Sequence, residues 1–280
     1  MSTTASSVPV GGFDLSTRPA PRFGGLNRTI LFIELRRVLR NKRTVIFTLI
    51  FPVVMFLFIS STIPAGEESM GTNVLANVGA YIMVSMAVYG AVMATTAAGA
   101  SVSIERAAGW SRQLRLTPLS PTAYILLKAL MALIVGVLAT LVTFAVAALT
   151  HKAHIPDATV WLQCGLIIIG GALVFAAFGL FMGYLLPAEN AMQFLGPILA
   201  LLSIFGGIFT GPLSTDSTFG KIAQFTPIYG LGQIAHWPLT LTTSGGHDAF
   251  KMAWVVNLLV WALVFVAGAT WRFRKDTARV

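Results

Sequence analysis

The sequence predicts an all-α polytopic membrane protein with six transmembrane helices, an N-terminal amphipathic interfacial helix and a broken, re-entrant outer hairpin before helix six. Three observations lead to this fold class. The 280 residues are 56% hydrophobic and only 10% charged, whereas soluble domains carry about 25% charged residues. Six long runs contain no Asp, Glu, Lys or Arg. The basic residues flank those runs almost entirely on one side, which is the pattern of positive-inside orientation.

Each charge-free run is long enough to cross a bilayer, because a helix needs roughly 20 apolar residues to span the hydrocarbon core. A charge at the bilayer centre costs about 3 kcal/mol even on lenient insertion scales, so charge-free runs of this length indicate crossings. Within a transmembrane domain of residues 27–280, the predicted crossings are residues 44–63, 75–103, 129–150, 159–186, 191–211 and 252–271.

The distribution of Lys and Arg predicts the orientation. Lys152, Lys221 and Lys251 are the three of the 19 basic residues that fall between crossings three and four or five and six. The others lie in the N-terminal segment, the loop after crossing two and the C-terminal tail. We therefore predict that both termini are cytoplasmic. Residues 1–26 are rich in Ser, Thr, Pro and Gly and are predicted to form a flexible cytoplasmic tail.

Residues 27–43 have the pattern of an amphipathic helix. We expect this helix to lie flat in the inner interface, with its apolar face in lipid and its basic face toward lipid headgroups or a partner. On a helical wheel, Leu31, Phe32, Leu35, Val38 and Leu39 share one face, and Arg36, Arg37, Arg40 and Arg43 share the opposite one.

Two further patterns concern packing and the outer loops. Gly179 and Gly183 in crossing four, and Gly207 and Gly211 in crossing five, have the small-xxx-small spacing that favours close helix contact, within one chain or between two. Residues 221–239 are moderately apolar but are interrupted by Pro and Gly. We expect them to dip into the outer interface as a re-entrant hairpin, with an ordered outer cap as the alternative.

The middle of each crossing lacks Asp, Glu, Lys, Arg and His. This argues against an ion-coupled carrier and against an intramembrane acid–base enzyme, although backbone carbonyls can bind Na⁺ without such groups. The four histidines fall in predicted outer loops, where we expect surface side chains rather than a zinc site. They are His151, His154, His236 and His247.

No cofactor or metal site is predicted in this chain. The sequence Gly220-Lys221-Ile222 lacks the earlier glycine and the Ser or Thr of a phosphate-binding Walker A loop. If ATP drives the protein, another chain must bind it. The net charge of +9 is explained by membrane orientation, so nucleic acid is not an expected partner.

The inner loop at residues 104–121, between crossings two and three, carries the most specific pattern. Gly109 permits a turn, and residues 110–116 can form a short helix that exposes Trp110 and Leu114 among arginines. Thr117 precedes Pro118, which ends that helix. A short, stiff amphipathic helix suits docking of a cytosolic partner, whereas the alternative is an ordinary basic loop.

This loop resembles the signature of type-2 ABC exporter permeases, the group that includes daunorubicin-resistance-like transporters. The order of parts, from amphipathic helix to broken hairpin, is also similar, and Phe225-Thr226-Pro227-Ile228-Tyr229 is similar to a hairpin segment of that family. Ala107 stands where the family often has an acidic residue, so the loop is more basic and implies a more acidic docking groove. The residues that carry the match are Glu105, Arg106, Gly109, Leu114, Thr117, Pro118, Leu119 and Ser120.

The resemblance implies a permease subunit of an ATP-driven exporter in the bacterial plasma (inner) membrane. It implies a homodimer, or pairing with a sister permease, and two copies of a separate ATPase subunit that binds ATP and Mg. The ATPase-coupling loop would comprise Glu105, Arg106, Gly109, Trp110, Arg112, Leu114, Arg115, Thr117 and Pro118. An amphiphilic, drug-like or lipid-like substrate would pass along crossings one, two and five, where candidate lining residues are Phe51, Met55, Met83, Met86, Phe205 and Phe209.

Two other functions remain as alternatives. A membrane scaffold or sensor would use the same loop to bind a cytosolic protein without moving a substrate. An ion-coupled carrier would transport without ATP. Co-purification of an ATPase with the chain would distinguish the exporter from both.

Overall fold

The computed structural model describes residues 28–63, 70, 74–109, 121–155, 157–211 and 217–277, and these residues form helices and turns without a β-strand. The predicted all-α class is therefore confirmed. The predicted N-terminal tail and most of the inner loop lie outside the described residues. The helices are α1 (Arg28–Arg40), α2 (Lys42–Ser61), α3 (Val78–Ala107), α4 (Pro121–Leu149), α5 (Ala158–Leu185), α6 (Ala188–Phe205), α7 (Thr218–Ala223), α8 (Pro227–His236) and α9 (Met252–Thr277).

Five of these helices, namely α2, α3, α4, α5 and α9, are long and apolar enough to cross a membrane. They match five of the six predicted crossings. Helix α6, at the fifth, offers only a shorter apolar stretch, Gln193–Phe205. It ends there because Gly207 and Gly211 adopt left-handed φ angles of 79° and 78°, which suit glycine and interrupt a helix. The count of six crossings stays a prediction, and the small-xxx-small interpretation of these two glycines was wrong.

Helix α2 contains an irregular turn near its centre. Residues Ile46–Ile50 form a π-helical turn directly before Pro52. Proline has no N–H and its ring crowds the carbonyl four residues earlier, so the preceding turn widens. The buried Pro52 ring packs against α3 at Gly90, where an added Cβ would lie 3.1 Å from Pro52 Cγ.

Helix α3 is the centre of the bundle. In its most apolar 18-residue stretch, 89% of the residues are buried, compared with 6% in the corresponding stretch of α9. Its closest neighbour is α5, because glycines let the two backbones touch. A Cβ at Gly179 would lie 2.1 Å from the Thr96 carbonyl oxygen, and one at Gly99 would lie 2.3 Å from that of Ala176. The crossing-four glycines therefore pack within the chain.

The outer end of α3 is fixed by Asn77. Its side-chain oxygen accepts from the Ala80 backbone N–H at 2.9 Å and from that of His154 at 2.8 Å. Its amide nitrogen donates to the Lys152 carbonyl at 2.9 Å. One side chain thus caps α3 and joins it to the loop between α4 and α5.

Helix α1 lies differently from the sequence prediction. Three residues of its apolar face, Leu31, Leu35 and Val38, pack against a cluster on α3 and α4, so this part of the face is covered by protein and not by lipid. Phe32 is 66% exposed. Arg37, which the helical wheel places on the basic face, turns toward the bundle. The sequence alone could not show that α3 and α4 would cover this face in place of lipid.

The segment between α6 and α9 folds into the short helices α7 and α8. Helix α8 packs among α3, α5 and α9 with Ile228, Leu231 and Ala235 fully buried. Helix α9 holds the turn between the two short helices. Asn257 Nδ2 donates to the Gln224 carbonyl at 2.7 Å, and Trp261 Nε1 donates to the Phe225 carbonyl at 2.9 Å.

Candidate functional site

The candidate site lies at the inner end of α3, where the predicted coupling loop begins. Glu105 occupies the last turn of α3 and is only 5% exposed. Gly109, with a φ of 70°, then turns the chain away from the helix. A buried carboxylate is costly unless cations and hydrogen-bond donors surround it.

Glu105 has two cationic partners, one from α1 and one from α4. Arg37 Nη2 and Lys128 Nζ each lie 2.5 Å from Glu105 Oε1. The same two cations also bind Glu34 of α1. The distance to its carboxylate is 2.9 Å from Arg37 Nε and 2.9 Å from Lys128 Nζ. These four residues form a closed, formally neutral ring, which we call the inner charge ring.

Tyr124 completes the surroundings of Glu105. Its hydroxyl donates to Glu105 Oε2. Burial, with the neighbouring Glu105 charge and this hydrogen bond, raises the pKa of Tyr124, so the phenol stays protonated and acts as a donor. Burial alone would lower the pKa of Arg37, but the Glu105 hydrogen bond and the carboxylates of Glu34 and Glu105 raise it. Arg37 therefore stays charged.

The inner charge ring joins three helices that are far apart in the sequence. Lys128 is 4% exposed, so its charge depends on the ring for compensation. Glu105 stands just before the loop and Lys128 just after it. The ring therefore ties together the two helices that flank the loop and fixes α1 to both.

Arg106, the next residue, joins α3 to a fourth helix. Its guanidinium donates to the Gly183 carbonyl at 3.4 Å and lies over the Tyr184 ring, 5.2 Å from the centroid. Both partners are in the last turn of α5, where a cation also interacts favourably with the helix dipole.

Three of the nine predicted coupling residues are described: Glu105, Arg106 and Gly109. Their coupling role stays a prediction, but the structure places the first two in side-chain contacts that join helices. The other six, Trp110, Arg112, Leu114, Arg115, Thr117 and Pro118, lie outside the described residues.

Sequence reasoning missed Glu34, Tyr124 and Lys128 as site residues and treated Arg37 only as part of a basic face. Two signals pointed to them. Glu34 is the single acidic residue among the arginines of α1, and Lys128 is a lone charge just before the third predicted crossing. A lone charge beside an apolar run needs a partner.

The six predicted pathway residues separate into groups. Phe51 of α2 and Phe209, which follows α6, both contact Tyr89 of α3, with ring centroids 5.7 and 5.0 Å apart. Tyr89 was not predicted. Met83 and Met86 are fully buried in the core, against which Met55 packs. Phe205 stacks on Phe219, with ring centroids 5.1 Å apart. The pathway itself stays a prediction.

One prediction about the histidines was wrong. His236, expected at the surface, is 9% exposed and lies between α8 and α3. The sequence could not show this because the hairpin folds back into the bundle. Within the described ranges, no group of three or more His, Cys, Asp or Glu is placed to hold a metal ion.

Comparison with known proteins agrees with this architecture. YvfS of Bacillus subtilis (strain 168), which carries the name of a transport permease, is 27% identical over 247 residues, covering 88% of this chain and 96% of that protein. Residues 26–237 match the sequence model of the ABC-2 type transporter family. The match covers most of the chain, including the amphipathic helix, the inner charge ring and the hairpin, so the chain belongs to the ABC-2 type transporters and is a membrane permease of that family.

Proposed function

We propose that this permease is the membrane subunit of an ATP-driven exporter, powered by a separate ATPase subunit that docks on residues 104–121. The observation that carries the proposal is the inner charge ring at the base of that loop. If the helices beside the loop could move independently, displacement of the loop by a partner would not be transmitted to them. Because the ring holds these helices together at the base of the loop, we expect them to move with it.

The contacts support a rigid-body mechanism. The ring joins α1, α3 and α4, and Arg106 joins α3 to α5, so displacement of the loop would shift four helices together. Transitions between inward- and outward-facing states commonly occur by rotation of such packed units. ATP and Mg would be bound by the partner, and this chain would supply no catalytic residue.

We also propose that two permease copies form the transport route, and that an amphiphilic, drug-like or lipid-like substrate passes along Phe51 and Phe209, whose partly exposed rings both contact the buried Tyr89. These three aromatic residues come from the predicted first, second and fifth crossings and form one continuous contact. An apolar, aromatic wall with few polar groups suits an amphiphile.

The orientation belongs to the same proposal. With both termini in the bacterial cytoplasm, the inner charge ring and the coupling loop face the compartment that contains ATP. The uneven distribution of Lys and Arg supports this orientation.

The experiment that tests the function is co-purification through a C-terminal tag. We expect an ATPase subunit to accompany the permease in equal ratio. Reversal of the loop charges by Arg112→Glu with Arg115→Glu should abolish that association and coupled ATP hydrolysis, because an acidic groove would then meet acidic residues.

Lys221→Glu with Lys251→Glu is the matched control, since it makes the same charge change in predicted outer segments. Coupled ATP hydrolysis at the normal rate in the Arg112 and Arg115 variant would contradict docking on this loop. A co-purified partner without ATPase activity would instead point to a scaffold.

We further propose that the α7–α8 hairpin is re-entrant. Trp261 lies nine residues after the first residue of α9, Met252, which corresponds to about 13 Å along the helix. Its indole N–H nevertheless reaches the Phe225 carbonyl in the hairpin turn. A carbonyl at that depth needs an internal donor because lipid supplies none.

Trp261→Phe removes this donor while keeping an aromatic ring. We expect it to lower the free energy of unfolding by about 1–3 kcal/mol, the usual cost of leaving a carbonyl unpaired away from water, because the proposed re-entrant position places the Phe225 carbonyl in lipid. The measurement is thermal unfolding in detergent, with hydrogen exchange of residues 217–240 to locate the loosening. Trp271→Phe, at an exposed position on the same helix, is the control. A stability of Trp261→Phe equal to that of the wild type would exclude an energetic role for this bond.

A further inference from the structure

His236 is a buried imidazole at the outer side of the bundle. It is the last residue of α8, and its ring stacks on Tyr81 of α3 with centroids 4.0 Å apart. Ser85, one turn further along α3, is also buried. His236 therefore forms the main polar contact between the hairpin and α3 among the described residues, at the opposite end of α3 from the inner charge ring.

The hydrogen-bond partners define the resting state of the imidazole. Nδ1 lies 2.7 Å from the Gly232 carbonyl oxygen, which can only accept, so Nδ1 carries the hydrogen. In the neutral ring Nε2 is then an acceptor. Ser85 Oγ lies 3.0 Å from it and can donate.

The same geometry also accommodates a protonated ring. The Tyr81 carbonyl oxygen lies 3.2 Å from Nε2. A carbonyl has nothing to donate to the neutral Nε2, but it accepts from an Nε2–H. The imidazolium would therefore find an acceptor at both nitrogens without a change of rotamer.

The surroundings of His236, in contrast, disfavour the charged form of its ring. Between their outer ends and their centres, the helices that pack against α8, namely α3, α5, α6 and α9, contain no Asp, Glu, Lys or Arg. The titratable groups on the same described stretches are Tyr81 and Tyr89 on α3 and Cys164 on α5, with Tyr229 on α8 itself. Within these described helix stretches, no carboxylate offsets a positive charge on His236. Burial accordingly lowers the pKa of His236 to about 4.

We propose that His236 is a proton-binding site that links the position of the α7–α8 hairpin to the acidity of the outer medium. In its neutral form the imidazole holds the hairpin against α3. A proton taken up from the outer side binds Nε2, and the charged ring gains hydration when the hairpin moves away from α3. Acidity therefore favours displacement of the hairpin. This site is independent of the identity of the substrate and of the ATPase.

The first test reads the proton directly. The chain has four histidines, so ¹³C,¹⁵N-histidine NMR of the full-length permease in nanodiscs can follow each ring. We expect His236 to titrate at least one pH unit below about 6.5, the ordinary value for an imidazole, and to show the Nδ1–H tautomer. Titration of His236 at that ordinary value would overturn the proposal.

Ser85→Ala sharpens this test. It removes the donor to the neutral Nε2 but leaves the Tyr81 carbonyl for the charged form, so we expect it to raise the pKa of His236. An unchanged or lowered pKa in this variant would contradict the two-partner geometry. His154→Gln, at an exposed histidine, is the matched control.

The second test measures how readily the hairpin moves away from the bundle. We expect hydrogen exchange of residues 217–240, corrected for the intrinsic pH dependence, to increase on the order of tenfold from pH 6.5 to pH 4.5 in the wild-type chain and in His154→Gln. His236→Gln keeps a donor and an acceptor but cannot be protonated, so its exchange should not respond to pH. The same pH response in His236→Gln as in the wild type would overturn the proposal.

Discussion

Replacing Glu105 with Gln should lower the free energy of unfolding by about 3 kcal/mol, since Glu34 would then be the single carboxylate of the ring for two cations, Lys128 and Arg37. Gln is nearly isosteric but cannot neutralise Lys128, which is 4% exposed. Arg37 is half-exposed and can recover water. The cost therefore falls mainly on the Lys128 ammonium group. Thermal unfolding of the detergent-solubilised permease measures the change.

A second substitution separates charge from packing. Lys128→Met on the Glu105→Gln background leaves Glu34 and Arg37 as a neutral pair, so the double variant should be more stable than the sum of the two single effects predicts. Asp248→Asn, which removes an exposed carboxylate, is the control and should change stability little. Strict additivity of Glu105→Gln and Lys128→Met would mean that the inner charge ring is not an energetic unit.

Gly179→Ala is expected to be similarly damaging, for a steric reason. The new Cβ would lie 2.1 Å from the Thr96 carbonyl oxygen. Both atoms belong to helix backbones or attach directly to them, so the contact can relax only if α3 and α5 separate. We expect a loss of about 3 kcal/mol in the free energy of unfolding, at the upper end of the usual range for overpacked interiors.

The same helix supplies the matched control. Gly170 of α5 is exposed, and an added Cβ there meets nothing within 4 Å. Gly170→Ala should therefore stabilise the protein, by up to about 1 kcal/mol, through the higher helix propensity of alanine. If both alanine variants melt at the same temperature in detergent, the α3–α5 contact is looser than the structure indicates.

Hydropathy and charge were enough to locate most of the helices. Charge-free runs identified α2, α3, α4, α5 and α9 because the cost of a charge in lipid acts on every crossing independently of its neighbours. The end of α6 was missed because glycine is common in membrane helices, so Gly207 did not indicate a helix end in the sequence. Only its positive φ angle shows that the helix has ended.

The long-range contacts were beyond sequence reasoning. Arg37 and Glu105 are 68 residues apart, and no local pattern indicates that they meet. The stretch that contains His236 was recognised as broken and moderately apolar, but its burial follows from how α8 inserts between α3 and α9. The local sequence predicts which segments enter the membrane, whereas the pairing of side chains depends on which helices pack against one another.

The central position of α3 has a consequence for how this protein can change over time. A helix that is surrounded by the other helices of the same chain tolerates few changes in side-chain size, since each side chain fills a space bounded by several neighbours. Helix α9, with its surface turned mostly outward, is free to exchange one aliphatic residue for another. We therefore expect the sequences of relatives to diverge fastest along α9 and slowest along α3, so that common descent among distant relatives should be easiest to recognise in the innermost helix.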